Sequence, residues 1–251
     1  MDYFFTYSDK LPEGSGYELF GKEHTSIMII CIIMVAVCLF VYSRSIEGIK
    51  RRLRRIIALI PVLLIFLRLI YVICAGAAVI YELPLHLCSI AGMVCFIYEY
   101  TGNSLPSGIR ATLSQALLSL CLPGALMALI FTDGTVYPVI HFITIQSTLF
   151  HVFIVIYIII TIKDHDVYPS VKEAYRNIIF LLCIVPFVYI FDKLFKANYM
   201  FLMNPSKGSP LSWAYTHGRF FYLFIYGFIV IIVIYLINLI GEYILRYKNQ
   251  Q

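Results

Sequence analysis

Seven stretches of this chain are apolar almost without interruption: Thr25–Tyr42, Ile56–Ile80, Pro84–Tyr98, Ala111–Phe131, Pro138–Ile162, Asn177–Phe195 and Arg219–Leu245. An α-helix needs about 20 mainly apolar residues to cross a bilayer, and six of the runs approach or exceed that length. Strands of a membrane barrel would instead alternate apolar and polar positions over about ten residues, and these runs do not alternate. The third run is the shortest and lies between Glu82 and Glu99. It predicts a helix that starts below the surface or sits in a thinned membrane. The pattern predicts an all-α bundle of seven spanning helices. It forms a single domain over residues 25–245, between a tail at 1–24 and a short tail at 246–251. The connection Lys196–Gly218, with Asn198, Pro205, Gly208, Pro210 and Trp213, reads as a structured cap over one face.

Composition supports this picture. The chain is 61% hydrophobic and 13% charged, against about 45–50% and about 25% for a soluble domain. The net charge of +5 bears on orientation first, because Lys and Arg gather in cytoplasmic loops. Arg44, Lys50, Arg51, Arg52, Arg54 and Arg55 crowd the first connection against a single Glu47. Seven spans then place the N-terminus outside and the C-terminus inside, with twelve basic residues in inner segments and six in outer ones. No soluble basic run is interleaved with stacking aromatics, so a nucleic-acid partner is set aside. The opening MDYFFTYSDKLPEG lacks the basic start and long apolar core of a signal peptide. All seven cysteines lie in apolar runs and none forms a CxxC pair, so most read as core residues.

The candidate chemistry lies in the polar residues inside these runs: Arg68, His86, Cys88, Gln146 and His151. An ionisable group in hydrocarbon is costly unless partnered, which marks such positions as functional candidates. Five of the six histidines, His24, His86, His141, His151 and His217, fall in the outer half or near the midplane; His165 falls in an inner loop. Pro84 is expected as the first helical residue of span three. That puts His86 and Cys88 near the unpaired N–H groups and positive end of a helix. A thiol there is readily ionised, and the thiolate is the nucleophilic form. Residues two apart point about 200° apart on a regular helix, so a base for Cys88 is expected from another span. His141, Thr144, Thr148 and His151 share one face of span five, His151 about 15 Å deeper than His141. Depth alone favours His141, unless span three starts deep. Arg68 reads as the centre of span two, and Asp192 is its nearest acid by depth; the pair either fixes packing or holds a lipid phosphate.

Tyr17–His24, the stretch LPLHLCS at Leu83–Ser89, the Gln146/His151 spacing, and Asn198–Leu202 with Pro205 and Ser209 together resemble the YwaF-like family of bacterial integral membrane proteins. The segment Thr216–Tyr222 departs from that family's Gly-Pro-Trp-Pro-Trp-Tyr. YwaF-like proteins in turn distantly resemble eukaryotic multi-pass acyltransferases that remodel ether phospholipids with a Cys and a His. The resemblance implies Cys88 as nucleophile, His151 as base with His141 as second choice, and a contribution from His86. It also implies that Gln146, Asn198 and Tyr199 contact substrate, with membrane lipids as partners and a bacterial cytoplasmic membrane as location; Arg68 and His217, read from the outer-face polar set, are expected to join them. No cofactor is expected. The competing reading is a transporter or lipid- and ion-handling protein without a covalent step, its helices broken at Pro61, Pro123 and Pro186. A metal site from His24, His86, Cys88, His141 and His217 lacks close-spaced ligands. A retinal protein is excluded because the last span has no Lys.

Overall fold

The structure is a computed structural model, and it describes residues 3–101, 104–206, 209 and 211–248. Lys207, Gly208 and Pro210 of the expected cap and the ends of both tails lie outside the described residues. Among the described residues all regular structure is helical. The main helices are α1 (Lys22–Arg44), α2 (Glu47–Ala75), α3 (Leu87–Thr101), α4 (Ser107–Ile130), α5 (Phe142–Lys163), α6 (Tyr175–Phe195), the short α7 (Ser212–Thr216) and α8 (Arg219–Lys248). Six of them, all but α3 and α7, are long and apolar enough to cross a membrane. The protein is a multi-pass membrane protein.

The helix ends follow from local chemistry. α2 begins well before the apolar run, because the basic segment from Glu47 is helical too, and it closes at Gly76. That glycine takes φ +72°, and its N–H and that of Ala77 reach back to Ile73 and Val72, the usual left-handed glycine stop. Arg68 therefore sits seven residues from the end of α2 rather than at its centre. α3 begins three residues later than expected: Pro84 precedes it, in a tight turn in which the Leu85 N–H bonds the Leu83 carbonyl at 2.8 Å. Within α4 a π-turn spans Leu117–Cys121. Pro123 has no N–H to give the Ser119 carbonyl, and a wider turn takes up the mismatch.

α5 is the hub. Of its most apolar stretch 67% is buried, against 11% for α1 and for α8, so its neighbours shield it from lipid. It packs on α1, α2, α3 and the second half of α4. The connections sort into two ends. At the first, the histidine end, the segment ahead of α1 is packed in place. Phe142 N–H bonds the Phe4 carbonyl at 3.1 Å and Tyr17 N–H that of Thr135 at 3.0 Å. At the opposite, arginine end, Arg54 binds Glu99 at 2.8 Å and also pairs with Asp164 and Asp166. Tyr157 donates to Glu99 at 3.2 Å and Tyr42 to Asp164.

α3 is a shorter apolar helix of 15 residues, and α2 fastens it at both ends. Glu99 takes Arg54, and Glu82, just ahead of α3, takes Arg68 at 2.8 Å. The two arginines are 14 residues apart, about 21 Å along α2. Between them Gly92 lets α3 close on its neighbours: an added Cβ would lie 3.0 Å from the Phe150 ring and 3.1 Å from Pro61. The acids that bracket the third apolar run are thus the partners of two α2 arginines.

Candidate active site

His86 is the last residue before α3; its carbonyl accepts the first helical bond, from Ile90 N–H at 3.1 Å. It is not on the regular helix, so the opposed directions expected for His86 and Cys88 do not apply. Its Nδ1 faces the Met200 N–H at 3.4 Å, and its ring meets those of Tyr199 and Phe201 edge-on or tilted. The 199–201 turn that holds it is strained: Met200 and Phe201 both adopt left-handed backbone, φ +51° and +56°. Side chains with a Cβ pay for that conformation, and it persists where the surroundings enforce it.

Tyr199 enforces it. Its hydroxyl donates to the Ile80 carbonyl at 2.7 Å and accepts from Leu83 N–H at 2.8 Å, clamping the approach to α3. Burial pushes the phenol up to about 12, so it remains a donor. Its own N–H bonds Asp192 Oδ1 at 3.0 Å. Asp192 is thereby an anchor for this turn, and the acid of Arg68 is Glu82, which also accepts from Tyr7 at 3.0 Å. The distance of Glu82 from the middle of any span hid it from a depth argument. Asn198 folds the loop on itself, its Oδ1 accepting from Met203 and Asn204 at 3.0 Å each. His217 is exposed and bonds the Trp213 carbonyl at 3.1 Å.

The remaining histidines divide by what their ring nitrogens do. His24 accepts from Phe20 N–H and donates to Leu129 O, each at 3.1 Å, so it caps one helix start and one helix end. His141 is the N-cap of α5. Its Nδ1 accepts from Ile143 N–H at 3.1 Å, its Nε2 meets the Thr6 carbonyl at 2.9 Å, and its ring stacks on Tyr137. Both of its nitrogens are spent on backbone. His151 is different. Its Nδ1 lies 2.7 Å from the Ser147 carbonyl. A carbonyl can only accept, so Nδ1 carries the proton and Nε2 keeps its lone pair.

Cys88 lies in the first turn of α3, half-buried, packed against the main core and within electrostatic reach of Cys121 in the π-turn and Tyr226 of α8. α3 and α5 run the same way, and Gly92 meets Phe150. One turn back along each helix sets Cys88 near the height of Gln146, between His141 above and His151 below. Gln146 donates to the Leu64 carbonyl of α2 at 3.0 Å, while its buried Oε1 has no hydrogen-bond partner among the described residues.

This geometry can be set beside known proteins. The chain matches the family model of the TMEM164 family over residues 19–238. It belongs to the TMEM164 family. The match takes in the Leu83–Ser89, Gln146–His151 and Asn198–Leu202 segments. Neither the comparison with curated proteins nor that with solved structures returns a match.

Proposed function

We propose that this TMEM164-family protein is a membrane acyltransferase that moves a fatty acyl group between glycerophospholipids, with Cys88 as nucleophile and His151 as base. The observation that carries the reading is the His151 ring: a carbonyl fixes its Nδ1–H and leaves Nε2 as a base inside the bundle. Oriented imidazoles of this kind activate thiols, and His141, the alternative, has no nitrogen left to offer. The likeness to YwaF-like proteins and, through them, to Cys/His acyltransferases supports the same pair.

In the first half-reaction His151 Nε2 takes the thiol proton. Cys88 sulfur attacks the ester carbonyl of the donor lipid, and the acyl C–O bond breaks. The departing alkoxide takes the proton from His151, leaving a thioester and a lysolipid. In the second half-reaction His151 deprotonates the hydroxyl of an acceptor lysolipid, which attacks the thioester carbonyl. The Cys88 thiolate leaves and recovers its proton. The first-turn amides of α3 lie beside the tetrahedral oxyanion. His86 and the Tyr199 turn border the headgroup region, with Arg68 near it. On this reading α3 is a short seventh crossing, and the histidine end faces outward because the arginine end carries the basic excess.

The test is acyl exchange between a labelled phospholipid and a lysophospholipid in vesicles holding purified protein. Cys88→Ala is expected to abolish exchange, since no thioester can form, and His151→Ala to lower the rate by about 10²- to 10⁴-fold, the range for loss of a catalytic proton-transfer group. Unchanged exchange by folded Cys88→Ala overturns the proposal.

A further inference from the structure

Side chains of α6 and α8 pack on the same apolar cluster around Val188 and Tyr199, yet among the described residues the two helices make few close contacts with each other. Each leans on α4 instead, α6 on its first half and α8 on the π-turn. Among the described residues, polar fastenings tie α8 to the segments just before and just after α6, at the two ends of the gap between the helices. Toward the arginine end, Asn238 of α8 accepts from Ser170 N–H and donates to Ser119 Oγ, both at 2.8 Å, and Glu242 accepts from Val171 N–H at 2.7 Å. Toward the histidine end, Tyr222 of α8 donates to the Phe201 carbonyl at 2.7 Å, tying α8 to the turn that follows α6.

Between these fastenings the side chains that the two helices turn to the shared apolar clusters are apolar and half-buried: Leu181 and Ile184 on α6, Tyr226 and Val230 on α8. Leu87 and Ile90, which flank Cys88 on α3, join Tyr226 in the same apolar cluster. The gap runs on without a polar break into exposed Phe187 and Ile190 of α6 and Phe224 and Phe228 of α8, the surface a bilayer covers. Cys88 lies within electrostatic reach of the Tyr226 hydroxyl.

We infer that the gap between α6 and α8 is a lateral portal through which one acyl chain of a bilayer glycerolipid enters and reaches Cys88. The frame selects this occupant. Its walls offer hydrocarbon contacts, its ends are closed by hydrogen bonds, and its inner end meets the thiol close beneath the histidine end, the depth at which a glycerolipid carries its ester carbonyls. Tyr226 then supplies a hydroxyl on the path, placed to donate to that carbonyl. The inference deepens the acyltransferase reading and rests on it for the role of Cys88, but access is measurable without turnover.

The protein with all its cysteines is reconstituted in vesicles and treated with a maleimide carried on a long alkyl chain, or with a charged, water-soluble thiol reagent. Labelling is read peptide by peptide by mass spectrometry. Exposed Cys183, mid-way along α6, serves as the lipid-facing control. The portal predicts that the lipid-borne reagent labels Cys88 and Cys183 while the charged one leaves Cys88 unlabelled. Ile184→Trp and Val230→Trp are expected to slow labelling of Cys88 roughly tenfold or more, equivalent to about 1.4 kcal/mol of barrier, with Cys183 unaffected. Cys88 reached only from water, or indifferent to both tryptophans, overturns the portal. Lipid-borne labelling in a protein without acyl exchange upholds the portal and sinks the thioester reading; exchange in a protein whose Cys88 is reached only from water does the reverse.

Discussion

Two histidines on one helix illustrate how hydrogen bonding, rather than residue type, assigns a role. His141 and His151 are both buried in or at the start of α5, and both have Nδ1 engaged. At His141 that nitrogen accepts, so the proton sits on Nε2 and is given to Thr6. At His151 it donates, so Nε2 keeps its lone pair, as the proposed role of base requires. Burial holds the His141 pKa below the ordinary histidine value. The sign follows from linkage: at mildly acid pH the unfolded chain binds a proton at this position that the folded chain refuses, so stability falls as pH drops below about 6.5. Thermal unfolding in detergent between pH 7.5 and 5 should show a declining midpoint. His141→Asn, which keeps a capping side chain and removes the titration, should flatten the slope; an unaltered slope removes His141 as its source.

At the scale of elements, the sequence showed the apolar runs clearly and their ends less well. The third run announced itself by Glu82 and Glu99, but what those acids do depends on α2, whose Arg68 and Arg54 take one each. A helix periodicity carries no such pairing, so Asp192 stood in for Glu82. The late start of α3 was hidden because Pro84 is a good first helical residue in isolation; here the Tyr199 hydroxyl, 116 residues away, holds Leu83 in a turn. That late start dissolves the geometric conflict between His86 and Cys88. Gly92 tests how tightly α3 is seated. Gly92→Leu forces a side chain against Phe150 and Pro61, and overpacking of this kind typically costs about 1–3 kcal/mol. Its unfolding midpoint should drop, with a parallel loss of acyl exchange as Cys88 shifts. A variant as stable as the parent would mean that α3 floats more freely than its contacts indicate.

At the scale of the molecule, the two ends differ in kind. The arginine end is an ion-pair network linking α2, α3 and α5, with α1 joined through Tyr42; the histidine end sets the Arg68–Glu82 pair beside strained turns and backbone hydrogen bonds around the start of α3. Basic charge predicts that the first faces the cytoplasm. With α3 as a seventh crossing, tags at the two termini should be cleaved by protease from opposite sides of sealed vesicles, the N-terminal one from outside; cleavage of both from one side contradicts the seven-crossing arrangement. What the sequence supplied for the proposed site was the pair Cys88 and His151 as candidates, through the LPLHLCS stretch and the spacing of His151 to Gln146 that carry the family resemblance. What it could not supply was the proton's position on each ring, because that is set by which carbonyl or N–H the fold brings to each nitrogen.

The most direct measurement is of the covalent step itself. Purified protein incubated with a phospholipid carrying an alkyne-tagged acyl chain, without acceptor, should accumulate one acyl group on the peptide containing Cys88. That group should be released by neutral hydroxylamine, as a thioester is, and it should be lost in His151→Ala as well as in Cys88→Ala. An active protein that carries no such adduct, or carries it equally well without His151, contradicts the account.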